Sequence, residues 1–329
     1  VFMSITSAVI IMVFPFYQSL PAFFILLGLM TFFSNARVPM LNALILSAPG
    51  TENRYAFIRS VGSFSFVVAG LLASWFVSLE SGPGIGAVFP LIAIANVGMA
   101  ISVMNINQSK VTVQERKKLQ ASRINFIEVQ KILLKKPIIR VFLVFVFLTQ
   151  VPLVPSLLNQ SLYIESETGL DGTYFDVSVA MSIGALAEIL FFAVYSKLSR
   201  YVRLMPMFFL AFSAGILRWI IVGNAESVEA VWVSSFLHIF SYGRMYMCSV
   251  MFINKELPAS LRNSGQTLLA LVYTGVSIMT GQLVSYVFLS GFELIHWFFF
   301  ARALSVLPFP FWMMMKRLYN REHGVSGIL

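Results

Sequence analysis

Inside the long apolar stretches of this 329-residue chain stand Glu188, Arg37, Arg218, Arg244 and Arg302, together with the histidine His238. An ionised side chain near the centre of a bilayer costs at least ~2.5–3.5 kcal/mol on insertion scales, so such a group faces a partner or an aqueous cavity. Glu188 is the only acid in the interior of these stretches, away from their ends, which makes it the candidate proton carrier. Burial disfavours an ionised carboxylate and a neighbouring guanidinium favours it, so a movable pairing could switch protonation near neutral pH. A permanent Glu–Arg pair locking two helices together is the structural alternative. His238 could donate, accept or relay a proton, or simply hydrogen-bond a carbonyl or a substrate. Arg37 and Arg59 could offer paired donors to hydroxyls or a carboxylate, and Arg59 could equally anchor its helix at the interface. Asn35, Asn42, Gln150, Asn159 and Gln160 carry amides suited to sugar or nucleoside hydroxyls, or to holding helices together.

These residues need helices to position them. The chain is 58% hydrophobic and only 11% charged, the composition of a polytopic membrane protein. Apolar stretches of roughly 17–25 residues occur ten times, at 1–16, 21–48, 58–78, 85–105, 139–163, 174–196, 204–222, 229–251, 265–289 and 294–315. With about 1.5 Å of rise per residue, Glu188 lies ~21 Å, His238 ~14 Å and Arg244 ~23 Å from the outer ends of their spans. Arg218 lies only ~6–8 Å from its own by the same measure. Depth therefore pairs Glu188 with Arg244.

All of the 23 Lys and Arg except Arg37, Arg218, Arg244 and Arg302 fall at every second connection or in the C-terminal tail. The alternate connections hold Glu80, Glu165, Glu167, Asp171, Asp176, Glu226, Glu229 and Glu293 and no Lys or Arg. By the positive-inside rule the basic connections and both chain ends are cytoplasmic. The net charge of +9 then faces the anionic leaflet and implies no nucleic-acid partner. Cys248 is the single cysteine and the three histidines are dispersed, so no disulfide framework or metal site is expected. No phosphate-binding loop, paired carboxylates or nucleophile with a base speaks for an enzyme, and no cofactor is expected. Trp232 and Trp297, beside outward ends, read as interfacial anchors. Arg302 reads as a snorkelling or lipid-contacting residue. Gly275, Gly281, Pro152 and Pro155 mark places where helices bend.

The polar, basic segment 108–138 divides four spans from six, and its isoleucines and leucines at 124, 127, 132 and 133 suit an interfacial amphipathic helix. Several motifs then occur in order: RYAFIRSVGSFSFVVAGLL at 54–72, MSIGALAEILFF at 181–192, AGILRWII at 214–221, FLHIFSYG at 236–243 and LPASLRNSGQTLLALVY at 257–273. Together they resemble the fifth and the eighth to eleventh helices of the major facilitator superfamily, in the branch of lactose permease, nucleoside/proton symporters and phenylpropionate permease. The resemblance implies an all-α membrane fold in which the ten visible helices are four plus six of an expected twelve. Residues 1–107 are then a partial N-terminal bundle, 108–138 the cytoplasmic central loop and 139–329 the C-terminal six-helix bundle.

The resemblance also places residues. Glu188, Arg218 and His238 fall where the branch keeps its proton-coupling acid, arginine and histidine, and Arg59 falls at a substrate-contacting arginine. Asn42 stands where the branch often has an acid, and Ser241 and Tyr242 stand where lactose permease has another, so the lactose-specific arrangement is absent. The expectation is a secondary transporter that takes up a small polar solute with protons, acting as a monomer in a bacterial inner membrane. Its partners would be a small-molecule substrate, protons and lipid. Exchange or export of organic anions is the second transporter reading, motivated by four intramembrane arginines against one acid. A non-transporting receptor is the reading from another class. The topology is testable directly: a reporter fused within 108–138 should be cytoplasmic and one near 165–172 external, and the opposite labelling would overturn the orientation.

Overall fold

In lipid every backbone N–H and C=O must be satisfied within the protein, which favours helices wherever the sequence is apolar. The computed structural model describes residues 1–16, 19, 22, 25–30, 33, 55–78, 86, 88–104, 126–198 and 203–323, without the side chains of 55–60, 78, 126–129, 192–198, 259, 260 and 263. Among the described residues every regular element is a helix. Arg37, Asn42 and the side chain of Arg59 lie outside the described residues. The chain divides into two units, Val1–Ser122 and Arg123–Leu329.

The first unit contains α1 (Phe2–Val13, continued by a 3-10 turn at Phe14–Phe16), α2 (Tyr55–Ser78) and α3 (Val88–Met104). Helix α1 packs on α3 through Ala8, Ile11 and Ala93, small or slender residues that let the backbones approach. Their polar side chains fold back onto the helix: Ser65 Oγ donates to the Val61 carbonyl at 2.8 Å and Asn96 Nδ2 to that of Ile92 at 2.8 Å. The i−4 carbonyl is the nearest acceptor for a hydroxyl or amide with no water to turn to.

The second unit holds α4 (Phe126–Lys135), α5 (Pro137–Glu165), α6 (Tyr174–Leu198), α7 (Leu204–Gly223) and α8 (Val228–Ser235). A 3-10 turn at Phe236–Ile239 leads into α9 (Tyr242–Glu256), which is followed by α10 (Ala259–Ala270), a π-helical turn at Leu271–Val276 and α11 (Ser277–Leu289). Helices α12 (Leu294–Leu304) and α13 (Pro308–His323) complete it. Among the described residues five segments are long and apolar enough to cross a membrane: Pro137–Glu165, Tyr174–Phe191, Leu204–Gly223, Ser264–Leu289 and Leu294–His323. The remaining expected span of this unit, 229–251, is the one that the 3-10 turn splits beside His238. In the first unit Phe2–Phe16, Val61–Val77 and Val88–Met104 are shorter apolar helices, and the expected span 21–48 lies largely outside the described residues.

Helix α5 is the axis of the second unit. Its own Pro152 and Pro155 remove two backbone donors, which frees the carbonyls of residues 148 and 151. Helix α11 closes on that place: a Cβ on Gly281 would lie 2.4 Å from the Val151 carbonyl oxygen and 2.9 Å from Pro155. Asn159 Nδ2 donates to Ser285 Oγ at 2.8 Å, joining α5 to α11 one turn further on. Trp297 Nε1 donates to Ser156 Oγ at 2.9 Å, and that hydroxyl donates to the Pro152 carbonyl at 2.6 Å, joining α12 to the bend.

Trp297 is therefore not the interfacial anchor expected from its place near a span end. It is fully buried, because its indole N–H finds Ser156 inside the unit and its ring packs against Phe288 and Phe300. Trp232 is half-buried and donates to the Asp176 carbonyl at 3.1 Å. Arg302 lays its guanidinium over Phe299 at 4.6 Å. The expected bend at Gly275 falls within the π-turn. In α4 Leu133 is fully buried while Ile132 is half exposed, so part of the amphipathic face docks into the core, and Gln130 Nε2 donates to the Ser264 carbonyl of α10.

Toward the basic end, Phe142 stacks on Phe252 at 4.3 Å and both meet Phe208 edge-on or tilted; each ring pair contributes about 0.5–1.5 kcal/mol beyond its area. Leu158, Leu162, Leu190, Met279 and Leu283 stay exposed, as suits surfaces that meet lipid. The α5–α11 contact makes a direct prediction. Gly281→Leu should destabilise the protein by about 1–3 kcal/mol, the usual cost of overpacking, read as a lower thermal midpoint in detergent; an unchanged midpoint would show that the helices can separate freely there.

Candidate functional site

Arg218 is 2% exposed and sits on α7, where long-range burial leaves its guanidinium only protein partners. Nη2 donates to Gln160 Oε1 of α5 at 2.9 Å. Nη1 lies 3.0 Å from His238 Nδ1 in the 3-10 turn. A guanidinium only donates, so Nδ1 is the acceptor and the imidazole is neutral, with its proton on Nε2. The guanidinium also lies 5.3 Å from the Trp219 ring. One side chain thus joins α5, α7 and the break between α8 and α9. The difference in depth read from the sequence between Arg218 and His238 is spanned by the length of the arginine.

Helix α6 supplies the facing wall through two residues one turn apart. Gly184 lies against His238, where a Cβ would stand 3.3 Å from the imidazole Cγ. Four residues on, Glu188 reaches the start of α9: a Cβ on Gly243 would meet its Oε1 at 2.7 Å. Spacing of i and i+4 puts both on one face of the helix. Arg244, the residue after Gly243, is buried between the rings of Phe191 and Phe240, each 4.7 Å from its guanidinium carbon.

Aromatic groups continue this layer. Tyr242 stacks on His238 with ring centres 5.6 Å apart. Tyr273, in the π-turn, meets Tyr242 and Tyr246 edge-on and donates its hydroxyl to the Tyr242 carbonyl at 3.2 Å. Gln150 of α5 is fully buried and shares a side-chain hydrogen bond with Tyr273. Among the described residues Gln160 Nε2, Arg218 Nε and Ser241 Oγ have no hydrogen-bond partner. Buried polar atoms are ordinarily satisfied, so this layer has hydrogen-bonding capacity that the protein itself does not use.

Of the residues singled out in the sequence, the second unit gathers Gln160, Glu188, Arg218, His238 and Arg244 into one neighbourhood. Asn159 stands apart, engaged with Ser285. Gly184, Gly243 and Tyr273 were missed. Gly184 carries a legible signal, four residues before Glu188 on the same helical face; Tyr273 and Gly243 carry none, since both matter only through contacts between distant helices.

The sequence matches the family model of the MFS_1 like family over residues 1–300. The chain belongs to that family. A crystal structure of a single-residue mutant of the nucleoside transporter NupG superimposes with a TM-score of 0.71 at 16% identity, covering 95% of this chain and 83% of the other. At that identity the likeness concerns the fold, which is the all-α fold of major facilitator transporters. No curated protein matches the sequence. Family and fold together make the chain an integral membrane transporter.

Removing the guanidinium should show how much the layer depends on it. Arg218→Leu strips Gln160 and His238 of their shared donor and should lower stability by about 1–3 kcal/mol for each group left unsatisfied. Adding His238→Leu should recover part of that loss. Thermal unfolding of the two variants in detergent measures both, and additive losses would show that the pair does not interact.

Proposed function

We propose that the protein couples the uptake of a small polar organic solute, of sugar or nucleoside type, to protons by alternating access in a bacterial inner membrane. The observation that supports this reading is that Glu188, the single acid in the interior of the apolar spans, lies beside the Arg218–His238–Gln160 cluster. In the cycle Glu188 carries the proton, alternating between carboxylate and neutral acid. Arg218 and Arg244 supply the positive charges against which the ionised form is tolerable, and His238 relays or stabilises the proton. The amide groups of Gln150 and Gln160 suit the hydroxyl and amide groups of a polar solute. Arg37, Arg59 and Asn42 are further candidates for contact with the solute. Asn159 serves the solute only if its bond to Ser285 opens. The nucleoside option draws support from the name of the structurally similar transporter. A monomer with both ends of this chain cytoplasmic suffices for the mechanism.

Burial of both Arg218 and Arg244 favours, as a second reading, exchange of an organic anion. The two readings part on Glu188. Glu188→Gln preserves size and hydrogen bonding but cannot ionise. In proteoliposomes that variant should lose accumulation driven by a pH gradient while retaining substrate binding or exchange. Full accumulation by the variant would remove Glu188 from the proton path and leave the anion exchanger as the better account.

A further inference from the structure

At the opposite end of α9 from the Arg218 layer, the polar ends of two helices meet beyond the apolar stretches 229–251 and 294–315. His323 Nε2, near the end of α13, lies 3.5 Å from Oε1 of Glu256, the last residue of α9. The glutamate side chain is only 4% exposed, against 29% for the histidine, and its Oε1 is buried without a hydrogen-bond partner among the described residues. The other ring nitrogen, Nδ1, lies 3.0 Å from the Tyr319 carbonyl oxygen. A carbonyl only accepts, so Nδ1 carries a proton. In a neutral ring Nε2 is then a lone pair, and it faces the oxygen of a carboxylate. Two lone pairs so placed repel unless one proton stands between them, either on the ring as imidazolium or on the carboxyl as the neutral acid.

The surroundings hold this arrangement together. Tyr319 stacks on His323 with ring centres 4.3 Å apart. Lys255 bonds the Tyr319 hydroxyl and lies 4.9 Å from its ring. Lys136, which caps α5, donates to the Glu256 backbone carbonyl at 3.2 Å, and Arg262 of α10 donates to that of Leu257 at 3.2 Å. The charges acting on the Glu256 carboxyl come from His323 and Glu322 on α13, from Lys255 on its own helix and from Lys136. Burial pushes that carboxyl up, and His323 is the largest influence against it.

We infer that Glu256 and His323 form a one-proton latch that holds the tail helix α13 to the basic end of α9 while the proton is bound and releases it when the proton leaves. With the proton bound the two groups attract, and without it a lone pair faces a carboxylate, so the latch weakens as pH rises, by up to about tenfold per unit for one linked proton. Helix α9 joins Tyr242 and Gly243 in the Arg218 layer to Glu256, roughly 21 Å away by helical rise. The latch and the transport layer thus share one helix.

Hydrogen exchange of residues 316–323, in the full chain in lipid nanodiscs and corrected for the intrinsic rate, tests the latch. Between pH values of about 6.5 and 8.5, protection of the tail should fall by up to ~100-fold. In Glu256→Gln the amide donates to Nε2 without any added proton, so protection should stay level across the range. In Glu256→Ala it should be low throughout. A level profile in the unmodified protein, or a Gln variant that follows the pH dependence of the unmodified protein, would overturn the inference. The comparison of the unmodified protein with the Gln variant decides the matter even if the Ala variant fails to fold.

Discussion

A guanidinium enclosed in apolar surroundings must find acceptors within the protein, and the arrangement of the second unit follows from how Arg218 does so. Its fork faces two acceptors that belong to different elements: an amide oxygen on α5 and an imidazole nitrogen in the turn between α8 and α9. Neither acceptor bears a charge, so the two terminal nitrogens are hydrogen-bonded while the charge remains available to a nearby carboxylate. The geometry also fixes the tautomer of His238, because a donor at Nδ1 excludes a proton there. A lysine could not reproduce this, since a point charge on a flexible stem has no fixed fork.

The helix break beside His238 has a similar logic. An uninterrupted helix from Val228 to Glu256 would carry all its backbone groups in internal bonds. The 3-10 turn and the bend at Phe240 and Ser241 instead let the imidazole face Arg218 and Tyr242 while Gly243 admits Glu188 closely. On the other side of the unit, the prolines of α5 free carbonyls just where Gly281 brings the backbone of α11 closest. Bends and close glycine contacts therefore coincide in both places, and these are the points at which two packed helices can change their angle without tearing a ladder of hydrogen bonds. The π-turn at Leu271–Val276, carrying Tyr273 to the Tyr242 carbonyl, is a third such place.

Much of this was legible in the residues alone, and the reason is the bilayer. Apolar length, the rationing of Lys and Arg to alternate connections, and the cost of an isolated charge are properties of single segments, so the helical class, and the need of Glu188, Arg218, His238 and Arg244 for partners inside the protein, could be read without coordinates. The order of motifs along the chain pointed to the same superfamily to which the family match assigns it. The loss of backbone donors at Pro152 and Pro155 was readable for the same reason, since each proline alters its own backbone.

Partnership was not legible, because it depends on which helix faces which. Depth along the spans suggested Arg244 for Glu188 and left Arg218 without a definite neighbour, whereas the packing of α5 against the α8–α9 break gives Arg218 both Gln160 and His238. Proximity to a span end suggested an interfacial role for Trp297, yet the docking of α12 on α5 buries it against Ser156. His323, read only as a tail residue, acquires a carboxylate through the docking of α13. The sequence by itself determined the helical membrane class and which side chains are costly to bury, since those follow from local polarity and hydrogen-bonding demand. Only the tertiary structure decided which groups satisfy them, since a rotation of one helix by a single residue, about 100°, would turn any of these side chains toward a different neighbour.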